Sequence, residues 1–162
     1  MKPRKLTFWI AAIAALVLGA RTPGLAQVDK VAMRTPGLSC GECAAISEIY
    51  LRRLEGVDKV QISKSAEAIL ITYKPGASFQ PWDIREALDR TDVGVAQFQI
   101  SAHGKVQEEK GKRFFVAGKD KFLLAPGPVK VPSEISVTVE AIVNDRTDPM
   151  ELKILSFKPL TK

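Results

Sequence analysis

Between Val28 and Ile100 the apolar residues switch between a two-residue and a helical period, and that order most constrains the fold. Val28, Val31 and Met33 mark a strand that Thr35-Pro36-Gly37 breaks. From Cys43 the apolar positions Ile46, Tyr50 and Leu54, with Ile49 beside them, follow helical spacing. That helix ends at Glu55-Gly56, where Gly56 suits a C-cap. Val60 and Ile62 alternate with polar neighbours, Ser63 to Ser65 turns, and Ala68 to Tyr73 is rich in β-branched residues. Pro81-Trp82-Asp83 opens a second helix with Ile84, Ala87 and Leu88 as its buried stripe. Thr91-Asp92 then turns into a fourth strand from Val93 to about Ile100.

The fold class is therefore α+β. The order strand, helix, strand, strand, helix, strand suits a four-stranded antiparallel sheet with both helices on one face, the ferredoxin-like arrangement. Residues 103–162 read differently. Short strands at Gly104–Val106, Arg113–Ala117, Lys121–Leu124, Ile135–Val143 and Glu151–Phe157 are separated by firm turns at Pro126-Gly127-Pro128 and Asp145–Pro149. A small all-β unit, an OB-like barrel or a sandwich, is expected there. The division expected is 1–26, 27–102 and 103–162, with 27–102 folding alone.

Cys40 and Cys43 are the only cysteines. They fall between the first strand and the first helix, so both sulfurs belong to a turn at a helix N-terminus. Unpaired backbone N–H groups there favour thiolates. Two soft thiolates at this spacing can grip a soft metal ion or close a disulfide on each other. A purely structural disulfide is the weaker reading, because it would close only a very short loop.

With this motif in place, residues 28 to about 100 resemble the heavy-metal-associated domains, the family of small copper chaperones, mercury scavengers and the N-terminal modules of metal-pumping ATPases. Its signature Gly-Met-Thr-Cys-x-x-Cys stands here as Gly37-Leu38-Ser39-Cys40-Gly41-Glu42-Cys43. Further agreement lies in Leu54-Glu55-Gly56-Val57, Val60, Ala68–Tyr73, Ile84, Ala87, Leu88 and Gly94. The resemblance implies metal ligands at Cys40 and Cys43, Cu(I) or another soft ion such as Hg(II) as cargo, and a donor or acceptor protein as partner. Leu38 replaces the family's methionine and can brace the loop from inside, while Ser39 keeps a hydroxyl for a helix cap. Glu42 adds negative charge beside the sulfurs, which favours a bound cation. Val95 stands where the family often carries a ring or a lysine near the metal.

Other residues read more plainly. His103, the only histidine, sits at the boundary of the two parts and is a weak third ligand. Met33 and Met150 read as strand or surface residues, Tyr50 and Trp82 as core or core-edge aromatics, and Lys105–Arg113 as a solvated hairpin. Arg21-Thr22-Pro23-Gly24-Leu25 recurs as Arg34-Thr35-Pro36-Gly37-Leu38 without a physical account. One histidine is a thin basis for a catalytic triad, and there is no Gly-rich phosphate loop or His-Glu-x-x-His helix, so no enzyme activity is expected.

Residues 1–26 have a basic start, an uncharged apolar run from Leu6 to Ala20, and small residues at Gly24-Leu25-Ala26. That is a secretory signal pattern, and the run is shorter than the ~20 residues a spanning helix needs. Lys2, Arg4, Lys5 and Arg21 supply four of the formal +6, so cleavage leaves +2 and no basic character that would seek nucleic acid. The expected product is a periplasmic or otherwise extracytoplasmic metal carrier with no stable membrane insertion. An extracytoplasmic thiol–disulfide oxidoreductase using the same pair, and a degenerate domain serving as an interaction scaffold, are the alternatives.

Overall fold

The computed structural model describes residues 26–160. The segment read as a signal, apart from Ala26, lies outside the described residues. Eight strands and two helices follow in the order β1 (Gln27–Arg34), α1 (Gly41–Arg52), β2 (Val57–Ser63), β3 (Ala68–Tyr73), α2 (Pro81–Asp89), β4 (Gln97–Glu109), β5 (Lys112–Ala117), β6 (Asp120–Leu124), β7 (Ser136–Asn144) and β8 (Glu151–Pro159). Among the described residues no helix is long and apolar enough to cross a membrane.

The class is α+β, with all eight strands in one mixed sheet ordered β2-β3-β1-β4-β5-β6-β8-β7. The first four strands are antiparallel neighbours in the order β2-β3-β1-β4, and α1 packs against both β2 and α2. Beyond them β4 pairs with β5 through Lys105–Glu109 and with β7 through Phe98–Lys105. The remaining pairings, β5 with β6, β6 with β8 in parallel and β8 with β7, complete a circuit of five strands that returns to β4.

The fourth strand differs from expectation. Val93–Ala96 is not strand, and β4 runs on from Gln97 to Glu109, through the boundary expected between residues 102 and 103. The reason is visible in its burial. Phe98, Ile100, Ala102, Gly104 and Val106 alternate as buried residues on both sides of that boundary. One face therefore stays apolar through both halves of the strand. Registered across the sheet, Val60, Ile71, Val31, Ile100, Ala141 and Ile154 form a single buried row from β2 to β8. Each valine or isoleucine of that row contributes about 1.5–3 kcal/mol when buried. The core is one cluster across both parts of the chain.

Two side-chain links reinforce this continuity. Asp120 at the start of β6 accepts hydrogen bonds from the Ser78 hydroxyl and, at 2.9 Å, from the Phe79 amide. Phe79 in turn meets Phe98 edge-on, centroids 5.5 Å apart, and lies 6.4 Å from Phe122. Burial raises the pKa of the Asp120 carboxyl, although both hydrogen bonds oppose the shift.

The helices also correct three expectations. α2 buries Pro81, Ile84, Ala87 and Leu88, but Trp82 is 65% exposed on its first turn rather than in the core. α1 buries Ala44, Ser47 and Leu51, not the stripe of Ile46, Tyr50 and Leu54; Ile46 and Ile49 are exposed, while Tyr50 and Leu54 are half-buried. Small Ala44 and Ser47 carry no strong apolar mark, so periodicity alone passes over them. The buried Ser47 hydroxyl is satisfied by Thr91 Oγ1 at 2.7 Å. The helix ends at Arg52, capped by Arg53, and Gly56 lies beyond it.

Candidate metal centre

The loop from Thr35 to Cys40 is built from the inside outward. Thr35 is fully buried, and its amide and hydroxyl both donate to the Glu67 carbonyl, at 2.8 and 3.1 Å. The Gly37 amide donates to Glu67 Oε1 at 3.1 Å. Leu38 is fully buried and braces the loop as the resemblance implies. Gly37 has φ +92°, and a Cβ there would meet the Asp92 carbonyl oxygen at 3.3 Å. Both the backbone conformation and the close approach therefore favour glycine. The segment before β4 runs alongside, with the Gly94 amide donating to the Pro36 carbonyl and the Ala96 amide to the Arg34 carbonyl.

This frame leaves the sulfurs outside the core. Cys40 is exposed and Cys43 half-buried. Cys40 is the N-cap of α1, and its Sγ accepts the Cys43 amide hydrogen at 3.1 Å. The cap expected of Ser39 is thus made by Cys40, one residue later. One helix-end N–H points directly at sulfur, an arrangement that stabilises negative charge there. The two sulfurs are bonded to each other, with Cα atoms 5.2 Å apart. Two-electron reduction of that bond yields two adjacent thiol groups, which as thiolates have the chemistry to hold a soft metal.

The other candidate ligands lie elsewhere. His103 pairs with Gln27 in the sheet, whereas the cysteine loop follows Arg34 at the other end of β1. The separation is roughly 20 Å of strand rise. The His103 Nδ1 atom faces Asp29 instead. Met33 is buried between Ile69 and Phe98, and Met150 is half-buried beside the cleft at the start of α2. Val95 is half-buried, and its carbonyl accepts from Arg85 Nη1 at 2.9 Å. Among the described residues no group of three or more His, Cys, Asp or Glu side chains could hold a metal. Once reduced, Cys40 and Cys43 would offer two sulfur donors, with Cys40 exposed to solvent. Such a donor set fits a soft ion of low coordination number and fits four-coordinate zinc poorly.

Sequence reading missed one neighbour. The β2–β3 turn, residues 64–67, brings Lys64 to the cysteine loop: a Cβ built on Gly41 would lie 3.6 Å from Lys64 Nζ. No motif relates residues 41 and 64, and only the pairing of β2 with β3 and of β3 with β1 brings them together.

No family model matches the chain. Relatives do. Copper-transporting ATPase 2 of Homo sapiens is 35% identical over 81 residues, which is 50% of this chain and 5% of that protein. The protein of the same name from Rattus norvegicus is 38% identical over 61 residues, 38% of this chain and 4% of its own length. The chain thus matches only a small fraction of the length of these relatives.

Proposed function

We propose that this chain is an exported carrier of soft metal, not an enzyme. Residues 27–102 act as a heavy-metal-associated unit of ferredoxin-like fold, in which reduced Cys40 and Cys43 bind one ion. Cu(I) is the favoured cargo and Hg(II) a second. The observation that carries this reading is the placement of both sulfurs, exposed and half-buried, at the N-terminus of α1 in a βαββαβ setting. Similarity to copper-transporting ATPases supports copper as the cargo. An open two-sulfur site also permits transfer, because a thiolate of an acceptor protein can add before the first ligand leaves. The five-stranded circuit from β4 to β8 is read as an OB-like barrel that docks a donor or acceptor or shields the site. An OB-like fold does not by itself make a nucleic-acid binder. The chain acts outside the cytoplasm, with no stable membrane insertion after signal cleavage.

Native mass spectrometry of the reduced chain with Cu(I), together with competition against a chelator, tests the reading. One ion per chain is expected, lost in Cys40→Ser and in Cys43→Ser while the melting temperature in reductant is kept. Equal copper affinity in the double variant would falsify it. The bonded sulfurs favour a second reading, a thiol–disulfide oxidoreductase. Sustained reduction of insulin that disappears in Cys40→Ser would put that reading first.

A further inference from the structure

We propose that Lys64 is the charge-balancing residue of the Cys40–Cys43 site and makes it selective for a monovalent soft cation. The inference rests on the metal-carrier reading above.

A monovalent ion between two thiolates forms a centre with one net negative charge. Glu42, exposed on the first turn of α1, adds a carboxylate beside it. Such a centre is stabilised by a nearby cation that is not already neutralised. Lys64 meets both conditions. Its Nζ sits over Gly41, the residue directly after Cys40, where a Cβ would be 3.6 Å away. Among the described residues Lys64 forms no ion pair, since the pairs present involve other side chains.

The turn that carries Lys64 is tied to the cysteine loop. The Glu67 amide donates to the Lys64 carbonyl at 3.2 Å, while the Glu67 carbonyl and carboxylate receive the Thr35 and Gly37 donors described above. Glu67 holds a left-handed conformation, φ 45°, which closes the turn toward that loop. The lysine backbone is therefore fixed relative to the sulfurs, and only its side chain needs to order. Gly41 leaves the space beside the ammonium free of a side chain.

Charge balance makes a specific demand. Hg(II) between two thiolates is neutral and gains little from Lys64, whereas Cu(I) gains the full attraction. The experiment measures Cu(I) and Hg(II) affinities by chelator competition in reduced full-length chain, for wild type, Lys64→Gln, Lys64→Glu and Lys64→Arg. Lys64→Gln should weaken Cu(I) about tenfold, as expected for the loss of one neighbouring charge near a surface. Hg(II) affinity should change about threefold at most, being a neutral centre. Lys64→Glu should weaken Cu(I) further, and Lys64→Arg should restore it. A loss equal for both ions would reveal a structural role and overturn the proposal, as would unchanged Cu(I) affinity in Lys64→Gln. Wild-type protein that binds neither ion would instead overturn the carrier reading, and this proposal with it.

Discussion

Arg85 on α2 holds Asp145, just past the end of β7, in a two-pronged grip: Nε to Oδ2 at 2.6 Å and Nη2 to Oδ1 at 3.0 Å. The third guanidinium nitrogen donates to the Val95 carbonyl at 2.9 Å, and the Arg85 guanidinium carbon lies 5.0 Å from the centre of the Phe98 ring. One side chain thus ties α2, the segment before β4, β4 itself and the β7–β8 loop together. Asp145 is 6% exposed and the Arg85 side chain 23%, so loss of either partner leaves a largely buried charge without its counter-ion. Arg85→Ala and Asp145→Ala should each lower unfolding stability by about 3 kcal/mol. The double variant should lose less than the sum. Denaturant melts of the four proteins provide the cycle, and additive losses would argue against a coupled pair.

The same pair gives a pH dependence with a definite sign. Burial pushes the Asp145 carboxyl up, but the hydrogen bonds and charge of Arg85 outweigh burial and hold it below its ordinary range. The folded pKa is thus below the unfolded one. The stability Asp145 contributes is present above the unfolded carboxylate value, about 3.9, and is lost as pH falls through the folded value. The melting temperature gap between wild type and Asp145→Asn should be widest above about pH 5 and narrow as acid is added. The raised Asp120 carboxyl acts in the opposite direction, but it is present in both proteins and cancels in the comparison. A gap that widens in acid would contradict the assignment.

Gly104 sits where β4 leaves β1 and takes up β5. A Cβ there would stand 2.2 Å from the Val116 carbonyl oxygen and 2.8 Å from the Phe115 ring. The first obstacle is backbone and has little room to yield. Gly104→Ala should cost about 1–3 kcal/mol, as overpacking of a core does. Gly127→Ala, with nothing within 4 Å of its Cβ, is the matched control. Equal melting temperatures for the two variants would rule out the crowding.

A chain ending at Ala102 tests whether the first part stands alone. The cut removes β7 from the edge of β4, Asp145 from Arg85, Asp120 from Ser78 and Phe79, and Phe122 from Phe79. Residues 27–102 should therefore melt at least about 10 °C below the full chain, the shift that a loss of roughly 2 kcal/mol produces in a small domain. A midpoint within a few degrees of the full chain would establish 27–102 as independent.

Local chemistry made much of this protein legible in its sequence. The Thr35-Pro36-Gly37 break, the Cys40–Cys43 spacing, Pro81 opening α2 and its stripe of Ile84, Ala87 and Leu88 all depend on neighbours within a few residues. Backbone preference and periodicity report such features directly. Tertiary structure decided the rest. Periodicity favoured Ile46 over Ala44 and Ser47 because it weighs apolarity, while the fit of α1 against its neighbours selects small side chains and supplies Thr91 to satisfy a buried hydroxyl. The extent of β4 was equally hidden, since an alternating strand does not reveal which strands will cover it or where one set of partners gives way to another. Lys64 beside Gly41 and Arg85 on Asp145 join residues 23 and 60 positions apart. Charge in a sequence has no address until strand pairing and helix packing assign one.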